Sequence, residues 1–231
     1  MVDAILAASP GRDFLDVGIG TGISARPFQR VGCNVLGVEP DERMAGYARQ
    51  SGLEVEIATF EDWDPTGRLF DAVIAGQSWH WVDPVLGACK AADVLRPGGR
   101  IALFWNVMSF PPEYAEASSA VYRSVLPEFP FFSSGAPSIG ASSYTPILDK
   151  ALDGIRRTGR FAEPEQWQFD WERSYTRDEW LDTVPSFGGH TQIPPEKLAE
   201  LLTGLGEVID ALGGSIIVAY AALVVTASRL G

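Results

Sequence analysis

The segment Asp16-Val17-Gly18-Ile19-Gly20-Thr21-Gly22 decides the fold of this chain. It joins a short apolar run at 14–17, which predicts a strand, to a helical pattern at 23–31. Glycine permits a tight turn and a close approach of the backbone to a ligand. The N–H groups at the start of the following helix suit a phosphate or a carboxylate. The segment therefore predicts a nucleotide-type binding turn after the first strand of an α/β fold.

Apolar runs and helical patterns alternate after this turn, as they do in a doubly wound sheet. The arrangement predicts an α/β fold with a mostly parallel seven-stranded sheet, right-handed crossovers and a Rossmann-like ligand crevice at the carboxyl ends of the strands. The further strands are expected at 34–38, 54–58, 70–75, 101–105, 166–171 and 216–227.

Helix boundaries are marked by capping residues. Asp41 and Asp83 are predicted N-caps, and Pro84 suits the first position of the second of these helices. That helix is expected to end at 96–99. An apolar stripe between 198 and 212 predicts a late helix whose buried face has only a packing role.

The chain is interpreted as one domain over 1–231. Residues 1–107 are expected to form the ligand-binding core, and 108–166 a lid-like insertion of helices and loops that covers the crevice. Residues 167–231 then supply a helix and strands that complete the sheet. The insertion is rich in aromatic residues, among them Phe129, Phe131 and Phe132.

Composition narrows the function. The 231 residues carry a formal net charge of -12, which disfavours a nucleic-acid substrate because phosphate backbones are repelled. Cys33 and Cys89 have no CxxC partner, so neither a disulfide framework nor a metal site is expected. With no signal peptide or membrane span visible, we expect a cytoplasmic monomer or homodimer.

Two acids flank the glycine turn at informative positions. Glu39 ends the second predicted strand twenty-one residues after Gly18, where an acid can accept both ribose hydroxyls. Asp16 precedes the first glycine and can face a cationic amino group. Position 23 is Ile and not the third glycine of the dinucleotide fingerprint, which disfavours NAD. Alternatively, Asp16 bonds the loop backbone and Glu39 is a surface acid.

Four motifs make the sequence resemble the class I methyltransferases that use S-adenosylmethionine (SAM), in particular a small-molecule group of trans-aconitate methyltransferase-like proteins. The matching segments are 16–22, 37–40, 70–73 and 95–100, and Gln77-Ser78-Trp79-His80-Trp81 is close to that group's pattern after the fourth strand. The resemblance covers most of the chain.

The resemblance implies SAM as cofactor and S-adenosylhomocysteine (SAH) as product. The glycine loop would lie under the methionine part of SAM, and Glu39 would hold the ribose. Many relatives carry Asp where this chain has Thr59. The implied cofactor-binding residues are Asp16, Gly18, Gly20, Thr21, Gly22, Glu39, Pro40, Thr59, Phe60, Glu61 and Gln77.

The methyl acceptor is expected to be a small organic molecule, methylated at a hydroxyl or carboxylate oxygen. His80 is the candidate general base because it follows the fourth strand near the expected methyl position. The alternative is a packed, hydrogen-bonded histidine. The candidate acceptor-binding residues are Trp79, Trp81, Asn106, Trp171 and Arg173. For Trp105 ordinary core packing is favoured, and for Arg173 an ion pair with Glu172 or Asp178 is the alternative.

Only about a dozen residues precede Phe14, whereas relatives have a longer leading segment that covers the cofactor, so weaker SAM retention is expected. Two other functions stay open at this point. One is a nucleotide-dependent oxidoreductase of Rossmann type, and the other is a non-catalytic SAM-binding protein.

Overall fold

The computed structural model describes residues 1–128 and 141–231. The aromatic residues expected at 129–132 lie outside this described part. The chain divides into two compact units. The first comprises Met1–Asn106, Tyr144–Phe169 and Ala222–Gly231, and the second comprises Val107–Ser143 and Asp170–Ala221.

The described residues form eight α-helices and seven strands. The helices are α1 Val2–Ala7, α2 Ala25–Arg30, α3 Glu42–Gln50, α4 Pro84–Val94, α5 Pro112–Val125, α6 Ala141–Thr158, α7 Arg177–Thr183 and α8 Pro195–Ala211. The strands are β1 Asp13–Val17, β2 Asn34–Val38, β3 Glu54–Glu56, β4 Phe70–Gly76, β5 Leu95–Ser109, β6 Glu165–Thr176 and β7 Ser215–Ser228.

The strands form one seven-stranded sheet in the order β3-β2-β1-β4-β5-β7-β6, which confirms the predicted fold class. Strand β1 pairs in parallel with β2 on one side and with β4 on the other. The chain therefore reverses its direction of winding between β1 and β4, which is where a doubly wound sheet opens a ligand crevice. The segments that follow these two strands are the glycine loop and the Gln77–Trp81 segment.

Several predicted boundaries were wrong. The helix after the glycine loop begins at Ala25, two residues late, because Ile23 is 71% exposed and belongs to the turn. Helix α4 ends at Val94 because the 95–100 motif already pairs with β4 as part of the long strand β5. Strand β3 stops at Glu56, two residues early. Strand β6 continues to Thr176, so Arg173 lies within this strand and not after it.

Capping chemistry was predicted correctly. The Asp41 carboxylate accepts hydrogen bonds from the backbone N–H groups of Arg43 and Met44 at the start of α3. The Asp83 carboxylate accepts two hydrogen bonds from backbone N–H groups at the start of α4, where Pro84 occupies the first turn. These contacts satisfy donors that no carbonyl of the helix can reach.

Each unit has its own hydrophobic core. In the first unit the core lies against β1, β2 and β4 and includes Phe14, Phe28, Ile74 and Phe104. The core of the second unit is more aromatic, with the Trp180 ring packed edge-on to the ring of Tyr114. The apolar stripe of α8 belongs to this second core, as its packing role predicted.

The predicted insertion 108–166 is divided between the two units, since α5 belongs to the second and most of α6 to the first. The interpretation of 1–231 as one domain with a lid stays a prediction. No helix in the described ranges is long and apolar enough to cross a bilayer.

Candidate active site

The glycine loop has a backbone conformation that residues with a side chain adopt only with strain. Gly18, Gly20 and Gly22 have φ values of 68°, 58° and 82°, in the left-handed region. A Cβ atom on Gly18 would come within 2.5 Å of the Ser78 Cβ, whereas a Cβ on Gly20 would meet no atom within 4 Å. Gly20 therefore faces open space, and Gly18 is packed against the segment that follows β4.

Hydrogen bonds connect the first strand and its glycine loop to the neighbouring strand β2 on one side and to the segment after β4 on the other. The N–H of Gly18 donates to the carbonyl of Val38 at the end of β2, over 2.8 Å. On the other side, the Ser78 hydroxyl donates to the carbonyl of Val17 over 2.5 Å. Ser78 belongs to the predicted segment after the fourth strand but had no predicted role, because nothing in the sequence shows that it lies beneath the loop.

Glu39 is part of the scaffold that holds this loop. Its Oε2 accepts a hydrogen bond from the N–H of Gly20 over 2.9 Å, and its Oε1 accepts one from the N–H of Asp41 over 3.0 Å. The residue is 4% exposed, so the alternative of a surface acid is wrong. A carboxylate has about four acceptor positions. Two therefore remain for further donors such as ribose hydroxyls.

Asp16 is completely buried directly before the loop. Its Oδ2 accepts a hydrogen bond from the Ser24 hydroxyl over 3.0 Å, so the alternative of a bond to the loop backbone is wrong. Its Oδ1 is buried with no hydrogen-bond partner in the described part of the chain. Burial chiefly raises the pKa of Asp16 to about 7, the Ser24 hydroxyl lowers it, and the charge of Glu39 raises it further.

An unsatisfied buried carboxylate oxygen costs free energy unless a donor from a ligand reaches it. The Asp16 Oδ1 atom therefore suits a cationic amino group, such as the one that SAM carries on its methionine part. Together with the open space at Gly20 and the acceptor positions left on Glu39, the residues present fit SAM.

The segment expected near the adenine is only partly exposed. Pro40, Thr59 and Glu61 are exposed, but the Phe60 ring is buried, with its centroid 6.0 Å from that of Trp79. The Thr59 hydroxyl donates to the Asp62 carboxylate over 2.9 Å. Asp62 thus places a carboxylate beside Thr59, a contact that was not predicted.

The segment after β4 begins with a strained residue. Gln77 has a φ of 58°, which costs a non-glycine residue on the order of 1 kcal/mol and is frequent at functional sites. Its side-chain amide donates to the carbonyl of Asn106, at the end of the neighbouring part of β5, over 3.0 Å. Gln77 and Asn106 are therefore brought together, and Asn106 lies within β5, not at its end as the sequence predicted.

The aromatic residues of this segment differ in exposure. Trp79 is buried, whereas Trp81 is 83% exposed and its ring centroid lies 4.9 Å from that of His80. His80 is also exposed, so the alternative of a packed histidine is wrong. Partial desolvation lowers the pKa of His80, which keeps the imidazole neutral at pH 7. Trp105 is fully buried, which confirms its packing role.

Two predicted acceptor-binding residues lie in the second unit. The ring of Trp171 stacks on that of Tyr220 with centroids 4.0 Å apart. The Arg173 guanidinium lies over the Tyr175 ring at 4.4 Å and pairs with Glu179, not with Glu172 or Asp178. The other histidine, His190, is buried in this unit with its Nε2 2.8 Å from the Tyr122 hydroxyl, and desolvation lowers its pKa.

A cleft of about 630 Å³ lies elsewhere, at the amino ends of the parallel strands, where Asp13, Asn34 and Phe70 line it. Ligands of doubly wound sheets bind at the opposite edge. No predicted site residue lines this cleft, and the chemistry of the residues after β1, β2 and β4 locates the candidate site. No cluster of metal-ligating side chains occurs within 1–128 and 141–231.

A doubly wound sheet with a glycine loop after β1 and a buried acid at the end of β2 defines a class of nucleotide-type binding proteins. Comparison with known proteins narrows the class. Residues 15–103 match the family described as methyltransferase domain. Over these residues the chain is similar to methyltransferase domains.

Individual relatives are also named as methyltransferases. The chain is 39% identical over 109 residues to an uncharacterized methyltransferase of Mycobacterium tuberculosis. This match covers 46% of this chain and 44% of that protein. It is 36% identical over 98 residues to a ubiquinone biosynthesis O-methyltransferase of Bradyrhizobium, covering 38% of each. The chain thus spans less than half the length of these two relatives.

A solved structure from Anaeromyxobacter dehalogenans, assigned as a type II methyltransferase, shares the fold over nearly the whole chain. The TM-score is 0.68 at 20% identity, and the match covers 99% of this chain and 95% of that one. This likeness concerns the fold alone. The narrower resemblance to trans-aconitate methyltransferase-like proteins stays a prediction.

Proposed function

We propose that this protein transfers a methyl group from SAM to an oxygen atom of a small organic molecule. The observation that carries the proposal is the buried Asp16 carboxylate, whose Oδ1 has no hydrogen-bond partner among the described residues and lies beside a glycine loop that is open at Gly20. A cationic amino group of the cofactor would satisfy that oxygen, and a charge-assisted hydrogen bond of this kind is stronger than a neutral one.

The cofactor side of the site is formed by the loop and by Glu39. The glycine loop would approach the amino-acid part of SAM, and Glu39 would accept from the ribose hydroxyls with the acceptor positions that the backbone leaves free. Pro40, Thr59 and Glu61 are the exposed residues proposed to surround the adenine. When bound, SAM supplies an electrophilic methyl group on a sulfonium.

The acceptor side is proposed at the exposed pair His80 and Trp81. A neutral His80 imidazole would take the proton of an acceptor hydroxyl as the oxygen forms its bond to carbon. Trp81 would provide a flat apolar surface for the acceptor, and the name of the Bradyrhizobium relative supports oxygen as the acceptor atom.

Both free cysteines accord with a reducing cytoplasm, which we propose as the location.

Isothermal titration calorimetry with SAM, SAH and NAD tests the cofactor. We expect SAM and SAH to bind and NAD to give no heat of binding. Failure of both sulfur nucleotides to bind would overturn the proposal. An acceptor screen that measures SAH release then tests the reaction, and a nitrogen- or carbon-methylated product would overturn the choice of oxygen.

Replacement of Glu39 by Ala is expected to weaken SAM binding by about 1.5–3 kcal/mol through lost charge-assisted hydrogen bonds. Glu42→Ala is the matched control, since Glu42 is an exposed acid three residues further on. Calorimetry of both variants should show a loss for Glu39 alone. Unchanged affinity of Glu39→Ala would mean that the ribose lies elsewhere.

A further inference from the structure

The contacts of Asp16 point to a property beyond methyl transfer. We propose that binding of the cofactor expels a proton from Asp16, and that Ser24 is the positioning residue that leaves one oxygen of this carboxyl group free for the ligand. The inference rests on the proposed function, because it requires a ligand with an ammonium group next to the glycine loop.

The geometry gives Asp16 no counter-charge of its own. The carboxyl group is fully buried, and the Ser24 hydroxyl is its hydrogen-bond donor among the described residues. Its backbone neighbours in the sheet are Gly37 on β2 and Ile74 on β4, neither of which carries a charge. The charged group that acts on it is Glu39, at the end of β2, which has the same sign.

A carboxyl group in such surroundings retains its proton more strongly than one in water, since burial and a like charge both disfavour the anion. Accordingly the pKa of Asp16 lies at about 7. An arriving ammonium group reverses this balance because an opposite charge at close range favours the carboxylate. The Asp16 proton then passes to the buffer, and the carboxylate pairs with the ligand's ammonium.

Ser24 fixes which oxygen is available. Its hydroxyl occupies Oδ2, so Oδ1 is the oxygen left for the ligand. The same hydrogen bond stabilises the carboxylate form and so lowers the pKa of Asp16. Without the Ser24 hydroxyl, Asp16 is expected to keep its proton to a higher pH and to lose its fixed orientation.

Calorimetry in two buffers of different ionisation enthalpy counts the protons released. At about pH 6.5, SAH is expected to release most of one proton, given the pKa of Asp16 of about 7. Methylthioadenosine, which lacks the amino-acid part, is the matched control ligand and is expected to release none. SAH binding without proton release would overturn this inference and leave the proposed function intact, whereas absence of SAH binding would overturn both.

Variants locate the effect. Asp16→Asn should abolish proton release, and Ser24→Ala should move the pH midpoint of SAH affinity upward, with rescue by Ser24→Thr. Ser51→Ala is the control, since the Ser51 hydroxyl only bonds a carbonyl in its own helix turn. An unchanged midpoint in Ser24→Ala would overturn the role of Ser24.

Thermal unfolding of the ligand-free protein separates this role from a structural one. The folded pKa of Asp16 is raised above the ordinary aspartate value of 3.8, so its ionisation opposes folding, and stability falls as the pH rises from about 4 through 7. Asp16→Asn should therefore raise Tm at about pH 8 and leave Tm nearly unchanged at about pH 4. A lowered Tm at both pH values would indicate a purely structural Asp16 and overturn the inference.

Discussion

At the scale of single residues, His80 is distinguished by its exposure. Its ring has only the exposed Trp81 as an aromatic neighbour, 4.9 Å away, and within the described ranges no hydrogen bond holds it. A histidine with this freedom contributes little to packing. Its replacement therefore tests chemistry rather than stability.

We expect His80→Ala to lower kcat by roughly 10²–10⁴, the usual contribution of a general base, with the affinity for SAM unchanged. Because desolvation lowers the pKa of His80, the wild-type rate should rise with pH to a plateau whose midpoint lies below the ordinary histidine value of 6.5. Steady-state kinetics after an acceptor is found would measure both. An equal kcat in His80→Ala would exclude a base at this position.

The residues of the candidate site were predictable to different degrees. Asp16 and Glu39 follow from the sequence because each has a fixed place relative to a strand end and a glycine turn. Ser24 does not, since its approach to Asp16 depends on the left-handed φ values of the intervening loop. Ser78 depends on a contact with Val17 in another segment, which sequence periodicity does not describe. Asp62 was missed although its bond to Thr59 spans only three residues.

At the scale of elements, a comparison of two glycine positions separates the effect of backbone strain from the effect of ligand contact. Gly20 and Gly52 both have positive φ, at 58° and 83°, and a Cβ on either meets no atom within 4 Å. Gly20 lies in the loop, whereas Gly52 follows α3 and lines the cleft at the opposite edge of the sheet. The two positions therefore form a matched pair.

We predict that Gly20→Ala and Gly52→Ala each lower the free energy of unfolding by about 1–2 kcal/mol, because an L-residue is strained at positive φ. Only Gly20→Ala should also weaken SAM binding, since its new methyl group would enter the space next to the ligand. Chemical denaturation and calorimetry would measure the two effects. Equal loss of SAM affinity in both variants would contradict this placement of the ligand.

The helix starts at Asp41 and Asp83 and the central strand β4 were predicted well, whereas several other boundaries were not. Asp41 and Asp83 cap their helices through local contacts, which the sequence contains. Strand β5 begins at Leu95 because its first residues pair with β4, although Pro97, Gly98 and Gly99 are typical of a turn. Strand pairing is a tertiary interaction and overrides local preference in such places.

At the scale of the whole molecule, the charge is the feature that the sequence fully determines. Thirty acidic residues stand against eighteen basic ones. The ion pairs are mainly exposed, such as Arg156 with Glu163, and pairs of this kind contribute about 0–1 kcal/mol each. Repulsion among the excess acids therefore opposes folding more than the ion pairs support it.

Raising the salt concentration from about 10 mM to about 0.3 M should therefore increase Tm at neutral pH, because the Debye length shortens and screens this repulsion. Differential scanning calorimetry in sodium chloride would measure the change. A decrease in Tm with salt would show that the ion pairs stabilise the fold more than repulsion from the net charge of -12 destabilises it.

The bond between Glu39 and the N–H of Gly20 has a kinetic consequence. Because both partners of this bond belong to the protein, we expect it to hold the loop in its binding shape before the cofactor arrives, so that little ordering entropy remains to be lost. Association should then proceed as a single bimolecular event, with an observed rate that grows in proportion to the cofactor concentration and reaches no plateau. The association rate would then depend on diffusion of the cofactor into the open site. The dissociation rate would depend on how long the ligand's ammonium group stays bound to Asp16.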